Sequence, residues 1–124
     1  MLTGVSSKLA GCASSKVTAA VNNNFGLQLY SLRDVLPNDP KDILKQVASF
    51  GYKQLEGYEH DTKGIYWGMK NTEFKKYISD LGMNMLSSHC KWEINLEQKA
   101  AEAAEIGMKW LMCPYLGPKP NIDF

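Results

Sequence analysis

Phe50-Gly51-Tyr52-Lys53-Gln54-Leu55, Leu81-Gly82-Met83-Asn84-Met85-Leu86 and Ile106-Gly107-Met108-Lys109-Trp110-Leu111 are three versions of one phrase. In each, a large apolar residue and a glycine lead into a short apolar run, and the glycines recur at intervals of 31 and 25 residues. A glycine after the last turn of a helix takes the left-handed conformation without a side-chain penalty. The apolar residue beyond it packs back on the helix, and the chain enters a strand. The phrase therefore reads as helix, cap and strand, three times over.

Outward from the glycines, the preceding stretches have helical starts and helical faces. Asp39-Pro40 sets a capping carboxylate before a proline at the first helical position, with Asp42 in the first turn. Asn71 or Thr72 caps a second helix, followed by Glu73, and Asn95 caps a third, with Gln98 three residues on. Ile43, Leu44 and Val47 form one apolar stripe, and Phe74, Tyr77, Ile78 and Leu81 another. The third helix, Leu96 to Ile106, is alanine-rich and suited to close packing on a sheet. Strands are expected at Phe25 to Ser31, Lys53 to Tyr58, Asn84 to His89 and Lys109 to Pro114. The order β-α-β-α-β-α-β is that of βαβ units around a parallel sheet, an α/β fold.

Two architectures carry this order, an open doubly wound sheet and a (β/α)₈ barrel. The first usually places a glycine-rich phosphate loop after its first strand. Tyr30-Ser31-Leu32-Arg33-Asp34 stands there instead, without a glycine. A barrel needs about 250 residues, so the four strands expected between residues 25 and 117 amount to half of one.

Composition narrows the function. Among 124 residues, 14 Lys and Arg oppose 13 Asp and Glu, a net charge of +1. That balance supplies no field for a polyanion and disfavours nucleic acid as partner. No apolar run approaches the ~20 residues of a membrane span. Cys12, Cys90 and Cys113 have neither metal-ligand nor C-x-x-C spacing and make no disulfide scaffold. Residues 1–24 are small and polar, a flexible leader in which Leu9-Ala10-Gly11-Cys12 resembles a bacterial lipobox. Lys8 sits where an export signal has its apolar stretch. The segment is either the back end of a truncated signal or a leader with a chance match.

In parallel α/β sheets function collects at the carboxyl ends of strands. Those ends carry Tyr30, Ser31 and Arg33; Glu56, Tyr58, Glu59 and His60; Ser87, Ser88 and His89 with Cys90, Lys91 and Trp92; and Cys113-Pro114-Tyr115. Aromatic faces with a few polar donors suit polyols such as sugars. Each has a plainer reading: Glu56 bonded to backbone or Arg33, His60 solvated, the cysteines small core fillers, Trp67 and Trp92 covers over the mouth. His89, ending an apolar strand after two serines, points to a pocket.

Gly26-Leu27-Gln28-Leu29-Tyr30-Ser31-Leu32-Arg33-Asp34, then Gly51-Tyr52-Lys53-Gln54-Leu55-Glu56-Gly57, then Leu81-Gly82-Met83 leading into Ser87-Ser88-His89, resemble the start of the xylose-isomerase-like TIM barrels, the sugar phosphate isomerases/epimerases. The resemblance covers residues 25–117 and implies the amino-terminal half of such a barrel, with 118–124 a truncated tail. It implies a parent enzyme that moves a proton between adjacent carbons of an open-chain sugar through an enediolate, assisted by a divalent metal (Mn, Mg, Co or Zn). The metal's two glutamates, aspartate and histidine would lie on later strands, so this chain has no catalytic or metal residues and is inactive alone. What carries over is substrate binding by Tyr30, Glu56, His89 and Trp92, toward a sugar or sugar phosphate. Exported relatives favour the signal reading of the leader, hence a periplasmic or lipid-anchored protein; without a signal it is cytoplasmic. Two alternatives remain: a non-catalytic sugar-binding half-barrel that pairs edge to edge as a homodimer, and a lyase or hydrolase acting on oxidised sugars.

Overall fold

The computed structural model describes residues 25–117; the leader at 1–24 and the tail at 118–124 lie outside them. Four strands alternate with three α-helices: β1 (Gly26–Gln28), α1 (Pro40–Ser49), β2 (Gln54–Tyr58), α2 (Asn71–Asp80), β3 (Asn84–His89), α3 (Leu96–Glu105) and β4 (Trp110–Met112). All pairings are parallel, in the order β1-β2-β3-β4. That order separates the two architectures. A doubly wound sheet reverses at a switch point, whereas here every crossover advances by one strand, as in a barrel. The fold is a partial (β/α)₈ barrel.

The caps explain why helices stop where they do. Gly51, Gly82 and Gly107 have φ of 91°, 72° and 82°. Beyond two of them the chain folds back: Met83 N–H donates to Ile78 O and Met108 N–H to Ala103 O, both at 2.9 Å. This double-bonded cap seats buried Met83 and Met108 under their helices. At the start of α1, Asp39 accepts the Asp42 N–H at 3.0 Å, as expected. The other two starts differ. Asn71 lies inside α2, accepts the Thr72 N–H, and donates to Glu102 O at 3.2 Å and the Glu105 carboxylate at 2.7 Å. It therefore joins α2 to α3. Asn95 adopts φ 51° and caps nothing with its side chain, and Gln98 bonds Glu102 instead.

Two strands are shorter than expected. β1 ends at Gln28, whose side chain accepts the Tyr30 N–H and turns the chain into a 3-10 helix over Leu29–Leu32. Leu29 is thereby fully buried. β4 covers only Trp110–Met112.

The core lies between the sheet and α1 and α2. Leu44 and Val47 from one stripe, and Phe74 and Ile78 from the other, are buried with Leu36, Leu55 and Met85. The β2–α2 loop adds Ile65, Tyr66 and Trp67, and both aromatic rings pack on Phe74 at 5.6 Å. The layer thins toward α3, where Ala103 alone is buried, and Trp110 on β4 is 57% exposed. The close packing expected of the alanine-rich helix is thus confined to its last turn. Among the described residues no strand pairs with the outer edge of β1 or β4.

Candidate functional site

A one-residue bulge sets up the polar face of the sheet. Leu55 pairs with Met85, but Glu56 pairs with Ser87, so Leu86 is the extra residue in β3. The Ser87 hydroxyl donates to Glu56 Oε2 at 2.7 Å. His89 Nε2 stands 3.5 Å from Glu56 Oε1, and its Nδ1 stands 3.5 Å from Gln28 Nε2. The row Ser87–Glu56–His89–Gln28 thus crosses β3, β2 and β1. A Cβ on Gly57 would lie 2.8 Å from both Met85 Sδ and Ser88 Oγ, which places Gly57 with those two side chains. Alternation then puts Glu56, Ser87 and His89 on the other face, the interior in a closed barrel.

At the carboxyl end of the row lies a cleft of about 280 Å³, lined by Tyr30, Tyr58, Glu59, His89, Lys91 and Tyr115 among others. Tyr58 packs edge-on against Tyr30 at 5.3 Å and Trp67 at 5.7 Å. Its hydroxyl and the Trp67 Nε1 are buried without a regular hydrogen bond. Burial raises the Tyr58 phenol above its ordinary 10.0, and the neighbouring indole N–H partly offsets this. Trp67 holds φ at 49°, rare for so bulky a residue. Arg33 lies 5.0 Å over the Tyr30 ring and donates to Tyr30 O, so it is not the partner of Glu56.

Glu59 ties the strand ends together. Its N–H donates to His89 O at 3.0 Å, and its Oε2 accepts Lys91 N–H at 2.7 Å and Lys99 Nζ at 2.8 Å. Lys99 Nζ also donates to Lys91 O at 2.9 Å. The Glu59 and Lys99 side chains are only 14% and 13% exposed. The Lys91 ammonium turns outward to Asp61 at 2.6 Å and lowers the Asp61 carboxyl below its ordinary value, while Lys91 itself is raised. Cys90 is buried at the cleft wall, and its thiol is pushed up to about 11 by burial first and Cys113 second.

The structure brings Tyr30 and His89 together at the cleft and sets Glu56 directly behind His89. Trp92 is 36% exposed, and its neighbours Lys91 and Glu93 form the wall instead. His60 is half-buried in a turn, accepting the Thr62 N–H. Sequence reasoning passed over Gln28, although a lone polar residue between Leu27 and Leu29 was its signal. It also passed over Lys99, which carried no signal. As metal donors, Glu56 and His89 make a pair only, and no cluster of three or more His, Cys, Asp or Glu able to hold an ion forms among the described residues. A divalent metal usually takes three or four protein ligands, so these residues do not fit one.

No protein-family profile matches the sequence, and no curated protein matches it either. Solved structures do. A sugar phosphate isomerase/epimerase from Parabacteroides distasonis is 27% identical with a TM-score of 0.58, over 74% of this chain and 42% of that one. The fold of this chain is similar to part of the barrel of that sugar phosphate isomerase/epimerase. A second protein of that description from the same organism is 25% identical with a TM-score of 0.59, over 90% of this chain and 44% of its own. The chain therefore spans less than half the length of these sugar phosphate isomerase/epimerase structures. The likeness first read from Gly26 to Asp34 and the glycine phrases holds in three dimensions. Among the described residues no helix is long and apolar enough to cross a membrane.

Proposed function

We propose that this chain forms the substrate-binding wall of a sugar or sugar phosphate isomerase/epimerase and is catalytically silent on its own. The observation that carries the reading is the row Ser87–Glu56–His89–Gln28, which runs along the interior face into the tyrosine-lined cleft. Tyr30, Tyr58 and Tyr115 offer aromatic surface to the C–H face of a polyol, and His89, held between Glu56 and Gln28, walls the cleft beside them. Proton transfer through an enediolate, with a metal to assist it, would need more acid–base and ligand groups than the described residues bring together.

Titration of the 124-residue chain with an aldose, the matching ketose and their phosphates, followed by NMR, tests this. Binding is expected, and His89→Ala and Tyr30→Ala should each weaken it about tenfold, the effect of losing ~1.4 kcal/mol. If none of the four ligands binds, or both variants bind as the parent does, the proposal fails. A second reading, a self-associating half-barrel, is favoured by the open edges and the exposed Trp110 and Phe50. Sedimentation over a hundred-fold concentration range separates the two, since a monomer throughout removes it.

A further inference from the structure

One cluster outside the polar row has chemistry of its own. β3 and β4 pair through Ser88↔Leu111 and His89↔Met112. One step on, Cys90 N–H donates to Met112 O at 2.9 Å, which brings Cys90 beside Cys113. Neighbouring positions on paired strands lie about 5 Å apart, inside the Cα window of a disulfide. The Cys113 side chain is the foremost ionisable neighbour acting on the Cys90 thiol. Cys90 is buried and Cys113 half-buried, and both are free thiols.

We propose that Cys90 and Cys113 form a reversible disulfide that fastens β4 to β3 and fixes one wall of the cleft. The two sulfurs divide the roles. Burial keeps the proton on Cys90, and Cys113 is the sulfur that reagents reach. The Cys113 thiolate attacks a small-molecule disulfide of the glutathione class, forming one S–S bond and expelling one small thiolate. Cys90 then gives up its proton to solvent, and its sulfur displaces the second small thiolate from Cys113. Two protein thiols and one small disulfide become one internal disulfide and two small thiols: the protein loses two electrons and the small disulfide gains them.

The consequence follows from position. Cys113 is followed by Pro114 and Tyr115, which line the cleft, and Tyr115 is 73% exposed. A bond at Cys113 anchors that segment one residue from its start. The loop it closes contains α3, which buries only Ala103 and is the least packed of the three helices. Covalent closure therefore acts where non-covalent packing is thinnest. The proposal does not depend on the sugar reading.

The test is equilibration of the 124-residue chain in glutathione buffers of graded redox ratio, then acid quench, alkylation and peptide mass spectrometry. The expected product is one Cys90–Cys113 cross-linked species, lighter by two hydrogens, reversed by dithiothreitol. Its melting temperature should be higher by at least roughly 5 °C. Cys90→Ser should trap glutathione on Cys113, whereas Cys113→Ser should leave Cys90 unmodified. Both thiols staying free at every ratio, glutathione persisting on Cys113 of the unmutated chain, or linkage chiefly through Cys12 would each overturn it. A cross-linked chain that melts no higher would overturn the fastening role.

Discussion

Replacing Lys99 by Met, Glu59 by Gln, and both together, measures how the strand ends are held. Glu59 Oε2 takes two donors, Lys91 N–H at 2.7 Å and Lys99 Nζ at 2.8 Å, with both charged side chains about one-seventh exposed. Lys99→Met leaves a mostly buried carboxylate with one neutral donor. The cost of orphaning such a charge is 3–5 kcal/mol, and the residual exposure favours the low end, about 3 kcal/mol. Glu59→Gln keeps an acceptor for Lys91 N–H but strands the Lys99 ammonium on Lys91 O alone, at about 2 kcal/mol. The double variant strands neither charge and should cost about 2 kcal/mol, giving a coupling near 3 kcal/mol. Urea unfolding at 25 °C reads all four corners of the cycle. The coupling should persist in 0.5 M salt, because a buried pair is poorly screened. Additive losses, within about 0.5 kcal/mol, would show that the two side chains do not act as a unit and would refute the argument.

Two further outcomes are expected. Gly57→Ala should lower stability by about 1–3 kcal/mol, because its Cβ would sit 2.8 Å from Met85 Sδ and Ser88 Oγ. An added Met85→Ala should relieve part of that loss, and a neutral Gly57→Ala in urea unfolding would contradict the packing. Tyr66→Phe should raise stability by about 1 kcal/mol at neutral pH, since the hydroxyl is buried without a partner. The Tyr66 phenol is pushed up to about 12 by burial, then by Glu102 and Glu105. A phenol raised in the fold contributes full stability below its ordinary 10.0 and loses it as pH rises toward 12. The variant should therefore flatten the alkaline fall in urea midpoint between pH 10 and 12. A destabilised Tyr66→Phe at pH 7 would mean that the hydroxyl is bonded.

The fold was legible because its punctuation is local. A left-handed glycine after a helix and an apolar residue behind it are backbone requirements, and they left their mark at 51, 82 and 107. Helical faces were legible for the same reason, since Leu44, Val47, Phe74 and Ile78 recur at the helical period and are buried. Strand lengths were less so, because β1 is cut short by one side chain, Gln28, bonding the backbone two residues on. The site was legible in its parts and not in its assembly. His89 and Tyr30 announced themselves at strand ends. The Leu86 bulge did not, because a register shift depends on how two strands meet and not on either alone. Lys99 was invisible because its partner is 40 residues away and α3 is mostly exposed.

The bulge also determines what His89 does. Without the register shift, Glu56 would pair with Leu86 instead of Ser87, and the carboxylate would lose its hydroxyl donor. With it, Glu56 has one oxygen on Ser87 and the other turned to His89 Nε2. A carboxylate there favours the tautomer with hydrogen on Nε2, leaving Nδ1 to accept from the Gln28 amide. Both ring nitrogens are then engaged by fixed groups on two neighbouring strands. The arrangement holds the imidazole in one orientation. Such a ring presents a fixed surface at the rim of the cleft. On the proposed function, this fixed orientation suits His89 to the binding wall.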